Sequence, residues 1–140
     1  MSERRLTTET MRYISLFEQK TGASVKDCLL DEQSIVFVVE LGQVGMAVGK
    51  EGKHVKELRT LLGKDIKVIE YSNDVEHFIR NIFHQFNVEI HLQEGEEGKR
   101  AVVIADPQEK GKVIGKGGRN IKLARTLVAR HYNLDGLKIA

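Results

Sequence analysis

A chain of 140 residues is long enough for one ordinary domain or for two very small ones. It is 41% hydrophobic and 30% charged, which is typical of a folded protein and not of a disordered segment. No apolar run is long enough for a membrane span, and the formal net charge of +2 does not by itself indicate a nucleic-acid partner, so we expect a cytoplasmic protein with no membrane contact.

The first half of the chain predicts a helix, two strands, a short helix, a glycine loop, a longer helix and a last strand. The elements with assigned bounds are the helix 7–21 and the strands 25–30, 34–40 and 66–71. Gly22 is placed to end the first helix, and residues 31–33 form the predicted hairpin turn. The single cysteine, Cys28, lies in the first strand, which favours a buried thiol over a nucleophile.

The second half repeats this order of elements. Its assigned elements are the helix 74–85 and the strands 87–93, 100–106 and 137–139. Asp74 is a predicted helix cap, and Gly95-Glu96-Glu97-Gly98 is the predicted hairpin turn. Five extra residues, about 130–134, are expected to lengthen the second long helix.

The chain matches itself at a constant offset of 66 residues, between 44–62 and 110–128. The identical pairs are Gly45/Gly111, Gly49/Gly115, Lys50/Lys116, Gly52/Gly118, Lys56/Lys122, Arg59/Arg125, Thr60/Thr126 and Leu61/Leu127. This internal duplication predicts two modules, residues 1–72 and 73–140. The join at Ser72-Asn73 is short, so we expect a rigid pair and not two modules on a flexible linker.

Two glycine loops, Gly49-Lys50-Glu51-Gly52 and Gly115-Lys116-Gly117-Gly118, occupy equivalent places in the repeat. Each opens a helix whose unpaired N–H groups attract anions, and each carries a lysine. Neither fits a nucleotide-binding P-loop, which needs a glycine where Val44 and Lys110 stand. A tight helix–helix turn without a ligand is the alternative, and the duplication favours a site for a sugar–phosphate backbone.

Positive charge is concentrated around these loops. Residues 110–134 carry seven Lys or Arg and no acid, whereas 44–64 carry five against Glu51 and Glu57. Such a cluster is the pattern expected of a polyanion-binding surface. The second copy is therefore the stronger candidate.

The stretch Val113-Ile114-Gly115-Lys116-Gly117-Gly118-Arg119-Asn120-Ile121 resembles the signature of the KH domain, an RNA-binding module. The α-β-β-α-α-β order resembles the type II form, and the pairing resembles the NusA family of transcription factors in its short archaeal form. The resemblance implies an α+β fold made of two tandem type II KH modules. It also implies that single-stranded RNA binds, about four nucleotides per module, with the loop clamping the backbone.

The resemblance assigns RNA-binding roles to both loops and to the basic residues after them. These residues are Gly49, Lys50, Glu51, Gly52, Lys53, Lys56, Gly115, Lys116, Gly117, Gly118, Arg119, Asn120, Lys122 and Arg125. Four aliphatic residues either line the groove under the bases or hold the helices to the sheet. They are Val48, Val55, Ile114 and Ile121.

We expect neither an enzyme nor a metal or cofactor site. The five histidines fall into no metal-ligand spacing with Cys28, and solvent-facing or RNA-adjacent positions are expected for them. The resemblance implies a monomeric termination or antitermination factor that binds nascent RNA, with RNA polymerase or other transcription factors as further partners. Two alternatives remain open: a ribosome-associated or ribosome-assembly factor, and a protein-interaction module that has lost RNA binding.

Overall fold

The computed structural model describes residues 7–96 and 98–140. These residues fall into two compact units, divided between Ser72 and Asn73. Each unit has one three-stranded sheet, and the strand order follows the chain in both. The predicted α+β fold with two modules of the same architecture is therefore confirmed.

The described part of the first module, residues 7–72, contains three α-helices and three strands. They are α1 (Thr8–Thr21), β1 (Val25–Leu30), β2 (Ser34–Val39), α2 (Val44–Val48), α3 (Lys53–Leu62) and β3 (Asp65–Glu70). Strand β1 runs antiparallel to β2, and β3 runs parallel to β2. The parallel pairing requires a crossover, which α2, the glycine loop and α3 provide.

Local sequence determines both ends of α1. The Thr7 hydroxyl accepts a hydrogen bond from the Thr10 backbone N–H, and the Thr10 side chain accepts one from the Thr7 N–H. At the other end, Gly22 adopts a left-handed conformation with φ of 78°. These caps satisfy backbone groups that a helix leaves unpaired.

The core of the first module lies between its helices and one face of its sheet. The rings of Phe17 and Phe37 stack with centroids 4.1 Å apart, and Leu58 and Ala47 are fully buried beside them. The Cys28 thiol is buried in this cluster, as its place in the sequence predicted.

The second module repeats this arrangement with a longer hairpin. Its elements are α4 (Val75–Ile82), β4 (Val88–Gly95), β5 (Gly98–Ala105), α5 (Lys110–Ile114), α6 (Arg119–His131) and β6 (Gly136–Ile139). The ladder between β4 and β5 continues to the pair Gly95 and Gly98, so both strands extend two residues closer to the turn than predicted. Strand β6 runs parallel to β5 and forms one edge of the sheet.

The extra residues of the second copy lengthen its long helix only in part. Helix α6 has 13 residues and α3 has 10, but α6 ends at His131 and Tyr132 is extended. Residues 132–135 instead form a connection to β6. There Asp135 joins the hairpin, since its backbone N–H donates to the Lys99 carbonyl at 2.7 Å. Because Asp135 pairs with Lys99 of the hairpin, the chain must leave the helix before it reaches residue 135.

Candidate nucleic-acid interface

The two glycine loops have the same backbone conformation. Gly49 has φ and ψ of 80° and 167°, and Gly115 has 85° and 162°. The third loop position is left-handed in both, with φ of 55° at Glu51 and 65° at Gly117. Glu51 is the one residue other than glycine with positive φ in the described part of the chain. The duplicated sequence thus folds into a duplicated turn, although one copy places a glutamate where the other has glycine.

A side chain from the start of each long helix holds each loop closed. His54 Nδ1 lies 3.0 Å from the Met46 carbonyl, and Asn120 Nδ2 donates to the Lys112 carbonyl at 3.2 Å. These two pairs are equivalent at the offset of 66. Histidine and asparagine therefore make the same link between the short helix and the long one, which sequence identity did not reveal.

The first glycine of each loop lies directly under this link. A Cβ at Gly49 would lie 2.8 Å from His54 Nδ1, and a Cβ at Gly115 would lie 2.9 Å from the Asn120 backbone nitrogen. Both distances are too short for any larger residue to fit without a shift of the chain. Glycine is required here by close approach as well as by backbone conformation.

Lysine side chains extend over the last glycine of each loop. The Cε of Lys56 lies 3.8 Å from the position of a Cβ at Gly52, and the Cε of Lys122 lies 3.8 Å from that at Gly118. Their ammonium groups therefore belong to the same surface as the loop. The other predicted lysines, Lys50, Lys53 and Lys116, are also exposed.

The two predicted arginines of the second module differ from these lysines. Arg119 is half-buried at the start of α6 and already engaged by other residues. Arg125 Nε donates to the Leu137 carbonyl on β6 at 2.9 Å. Arg125 therefore links α6 to the edge strand β6.

The four predicted groove aliphatics divide into two pairs. Val55 and Ile121 are partly buried and pack against the cores of their modules. Val48 and Ile114, the residues before the loops, are half-buried, while the adjacent Ala47 and Val113 are fully buried. Groove lining thus fits Val48 and Ile114, and core packing accounts for much of the burial of the other two.

The first module carries two acids, Glu51 and Glu57, at positions where the second module has Gly117 and Leu123. Glu51 lies within the loop and is exposed. Glu57 forms an ion pair of 2.5 Å with Lys20 of α1. The hydrogen bond from Lys20, aided by the charges of Lys20, Lys53 and His54, holds the pKa of Glu57 below its ordinary value. The negative charge of Glu57 is therefore balanced by Lys20. Glu51 is left as the acid that opposes an anion at this loop.

The histidines, which we expected to face solvent or RNA, show no sign of a metal site. In residues 7–96 and 98–140, no group of three metal-ligating side chains could hold an ion. His54 is half-buried and bonded to a carbonyl. The same described residues include no helix that is long and apolar enough to cross a membrane.

Known proteins resemble this chain over nearly its whole length. A family model described as "KH domain" matches residues 11–98, and one described as "KhpA/KhpB, KH domain" matches residues 72–140. A Methanococcus vannielii protein, "Probable transcription termination protein NusA", is 38% identical over 96% of this chain and 79% of its own length. A protein of the same name from Thermoplasma acidophilum is 34% identical over 99% of this chain and 97% of its own.

One solved structure agrees with these sequence matches. It is described as "Crystal structure of APE1850", is 36% identical and has a TM-score of 0.77. The match covers 96% of this chain and 100% of that one. Fold and sequence therefore point to the same relatives.

Proposed function

This chain belongs to the archaeal NusA family of tandem KH-domain proteins, and on that premise we propose that it is an RNA-binding factor that clamps single-stranded RNA at its two glycine loops. The observation that carries the proposal is the shared backbone conformation of Gly49–Gly52 and Gly115–Gly118. Each loop combines an exposed lysine with the start of a helix, and both features attract a phosphate. No catalytic step is part of the proposal.

Each module takes about four nucleotides, the number that a KH groove holds. The phosphates lie against the loop, next to Lys56 in the first module and Lys122 in the second. The bases lie over the half-buried aliphatic residue that precedes each loop, Val48 or Ile114. Because Glu51 places a negative charge inside the first loop, the second loop binds more tightly.

We expect the protein to act in transcription. The relatives are named as probable transcription termination proteins, and we propose the same role for this chain, with nascent RNA as ligand. RNA polymerase or other transcription factors are the expected protein partners. A ribosome-associated role is the alternative. Crosslinking of bound RNA in cells separates the two, since nascent transcripts dominate in the first case and ribosomal RNA in the second.

The direct test replaces both central residues of one loop by aspartate. We expect Lys116→Asp with Gly117→Asp to remove most RNA affinity, because each unfavourable change of charge beside a phosphate costs on the order of 1 kcal/mol. The fold should persist, since the loop is exposed and nothing lies within 4 Å of a Cβ at Gly117. Aspartate also tolerates a left-handed conformation better than most residues.

The matched change in the first loop, Lys50→Asp with Glu51→Asp, is the control. It adds less negative charge, because an acid is already present, and should cost clearly less affinity. Circular dichroism checks the fold and a binding titration measures the affinity. If neither double variant loses affinity, the loops are only turns and the proposal fails; if both lose it equally, the ranking is wrong.

A further inference from the structure

The side chain that holds the first glycine loop closed can take up a proton. The ring of His54 lies against Gly49, since a Cβ at that glycine would lie 2.8 Å from Nδ1 and 2.9 Å from Cγ. Nδ1 also lies 3.0 Å from the Met46 carbonyl oxygen. A carbonyl oxygen only accepts, so Nδ1 carries the hydrogen of this bond. Nε2 is therefore the nitrogen that gains a proton when the ring becomes charged.

The second module has no ionisable group at the equivalent position. Asn120 stands there, and its Nδ2 donates to the Lys112 carbonyl at 3.2 Å. The imidazole and the amide make the same link between the short helix and the long one, but an amide does not titrate. Histidine changes its charge between about pH 5 and pH 8. The link is therefore neutral in the second module and ionisable in the first.

The charged groups near His54 lie in the loop, on the first turns of α3 and at the end of α1. They are Lys50, Glu51, Lys53, Lys56, Glu57 and Lys20. Lys20 and Glu57 are paired with each other, and α2 contributes no charge, since residues 44–48 are all uncharged. Glu51 is thus the acid of the loop itself. A proton on His54 adds a positive charge that offsets it.

A proton on His54 and a phosphate at the loop would favour each other. An opposite charge within about 4–6 Å stabilises the charged form of an ionisable group, and the His54 ring touches Gly49 of the loop. Coupling of this kind is reciprocal: the phosphate raises the affinity for the proton by the same factor by which the proton raises the affinity for the phosphate. One histidine is therefore sufficient to couple binding at this loop to pH.

We propose that His54 is a proton-linked RNA contact: when a phosphate binds at the first glycine loop, Nε2 takes up a proton from solvent and the imidazolium pairs with that phosphate. The second module binds RNA without this uptake, because Asn120 stands in place of the histidine. The proposal rests on the proposed function and deepens it. Acidification then strengthens the clamp that Glu51 weakens.

The experiment measures the two loops separately in the unmodified full chain. An oligoribonucleotide of about four nucleotides, enough for one KH groove, is titrated into isotope-labelled protein at pH values of about 5.5 and about 7.5, between which histidine changes charge. NMR signals of Gly52 report on the first loop, and those of Gly118 report on the second. We expect the first loop to bind about fivefold more tightly at the lower pH, because one charge is added beside the phosphate. The second loop should change less than about twofold, since its amide does not titrate.

Two variants identify the group that is responsible. His54→Asn introduces the donor that the second module uses, so it should keep the loop closed and lose the pH dependence of the first loop. His91→Asn is the matched control, because His91 is exposed on β4, on the face of the sheet opposite the buried Val88 and Ile90. It should keep the fivefold effect, and thermal unfolding checks that both variants fold. An unchanged pH effect in His54→Asn, or its loss in His91→Asn, overturns the proposal.

A second measurement needs no variant and separates a contact with RNA from a purely structural role. The ring signals of His54 are followed through pH with and without the RNA. By reciprocity, a fivefold effect on affinity should move the titration of the ring upward by about 0.7 pH units when RNA is bound. If both loops respond to RNA but the ring titration stays in place, only the proton linkage is wrong. If neither loop responds to RNA, the proposed function fails and the linkage fails with it.

Discussion

The start of α6 lies so close to Gly115 that a Cβ at this glycine would lie 2.9 Å from the backbone nitrogen of Asn120. The backbone of Gly115 also has φ of 85° and ψ of 162°, a region that is nearly exclusive to glycine. Gly115→Ala should therefore lower the free energy of unfolding by about 2–3 kcal/mol. Urea denaturation measures this value.

Gly111→Ala is the matched control for that substitution. Gly111 lies in α5, and nothing occupies the space within 4 Å of its Cβ position. Alanine should stabilise the protein there by roughly 0.5 kcal/mol, because it is the better helix former. Equal stability of the two variants would contradict the close approach.

The long helix of each module is tied to its last strand by an arginine. Arg125 bonds to the Leu137 carbonyl in a partly buried place, whereas Arg59 pairs with Asp65 at the surface. We expect Arg125→Ala to cost about 1–2 kcal/mol of unfolding free energy. Arg59→Ala should cost under about 0.5 kcal/mol, because solvent screens exposed ion pairs. Chemical denaturation of both variants measures the two losses of stability. A larger loss for Arg59→Ala than for Arg125→Ala would contradict the prediction.

The third loop position can be exchanged between the modules. Glu51→Gly should raise RNA affinity about fivefold, because it removes a charge worth roughly 1 kcal/mol beside the phosphate. It should also relieve a left-handed strain of up to about 1 kcal/mol. The reverse change, Gly117→Glu, should lower both affinity and stability. Titration measures the RNA affinity of the two variants, and thermal unfolding measures their stability. A loss of affinity in Glu51→Gly or a gain in Gly117→Glu would refute the expectation.

The ion pair between Lys20 and Glu57 should make stability depend on pH. The folded protein lowers the pKa of Glu57 from its ordinary 4.5, chiefly through the Lys20 hydrogen bond. The stabilisation is therefore present above 4.5 and is lost as the pH falls through the folded-state pKa. The stability difference between the unmodified protein and Glu57→Gln should shrink as the pH is lowered from about 7 to about 3. A constant difference would show that the pair contributes nothing through charge.

Salt should weaken RNA binding steeply. With about five phosphate contacts and roughly 0.7 counterions released at each, the logarithm of the affinity should fall with that of salt at a slope near −3 to −4. Titrations at several salt concentrations give the slope. A slope near zero would show that the basic helices do not contact the phosphates of the RNA.

Repetition in the sequence was sufficient to predict the order of elements and the two loops. The offset of 66 aligns Gly49 with Gly115 and Lys56 with Lys122, and the structure gives these pairs matching conformations and positions. Caps such as Thr7, Gly22 and Asp74 depend only on neighbours in the chain. Most predicted bounds agree within two residues for the same reason, since turn chemistry and periodicity are local.

Only the tertiary structure decided which contacts the side chains of the repeat make. Arg59 and Arg125 are identical in the repeat, yet one pairs with an acid and the other with a strand carbonyl. Likewise His54 and Asn120 differ in sequence but make the same contact. Arg100 of β5 and Lys138 of β6 line one cavity of about 530 Å³, and only the pairing of these two strands brings them together. Such roles arise from contacts between distant segments, and local sequence patterns do not encode them.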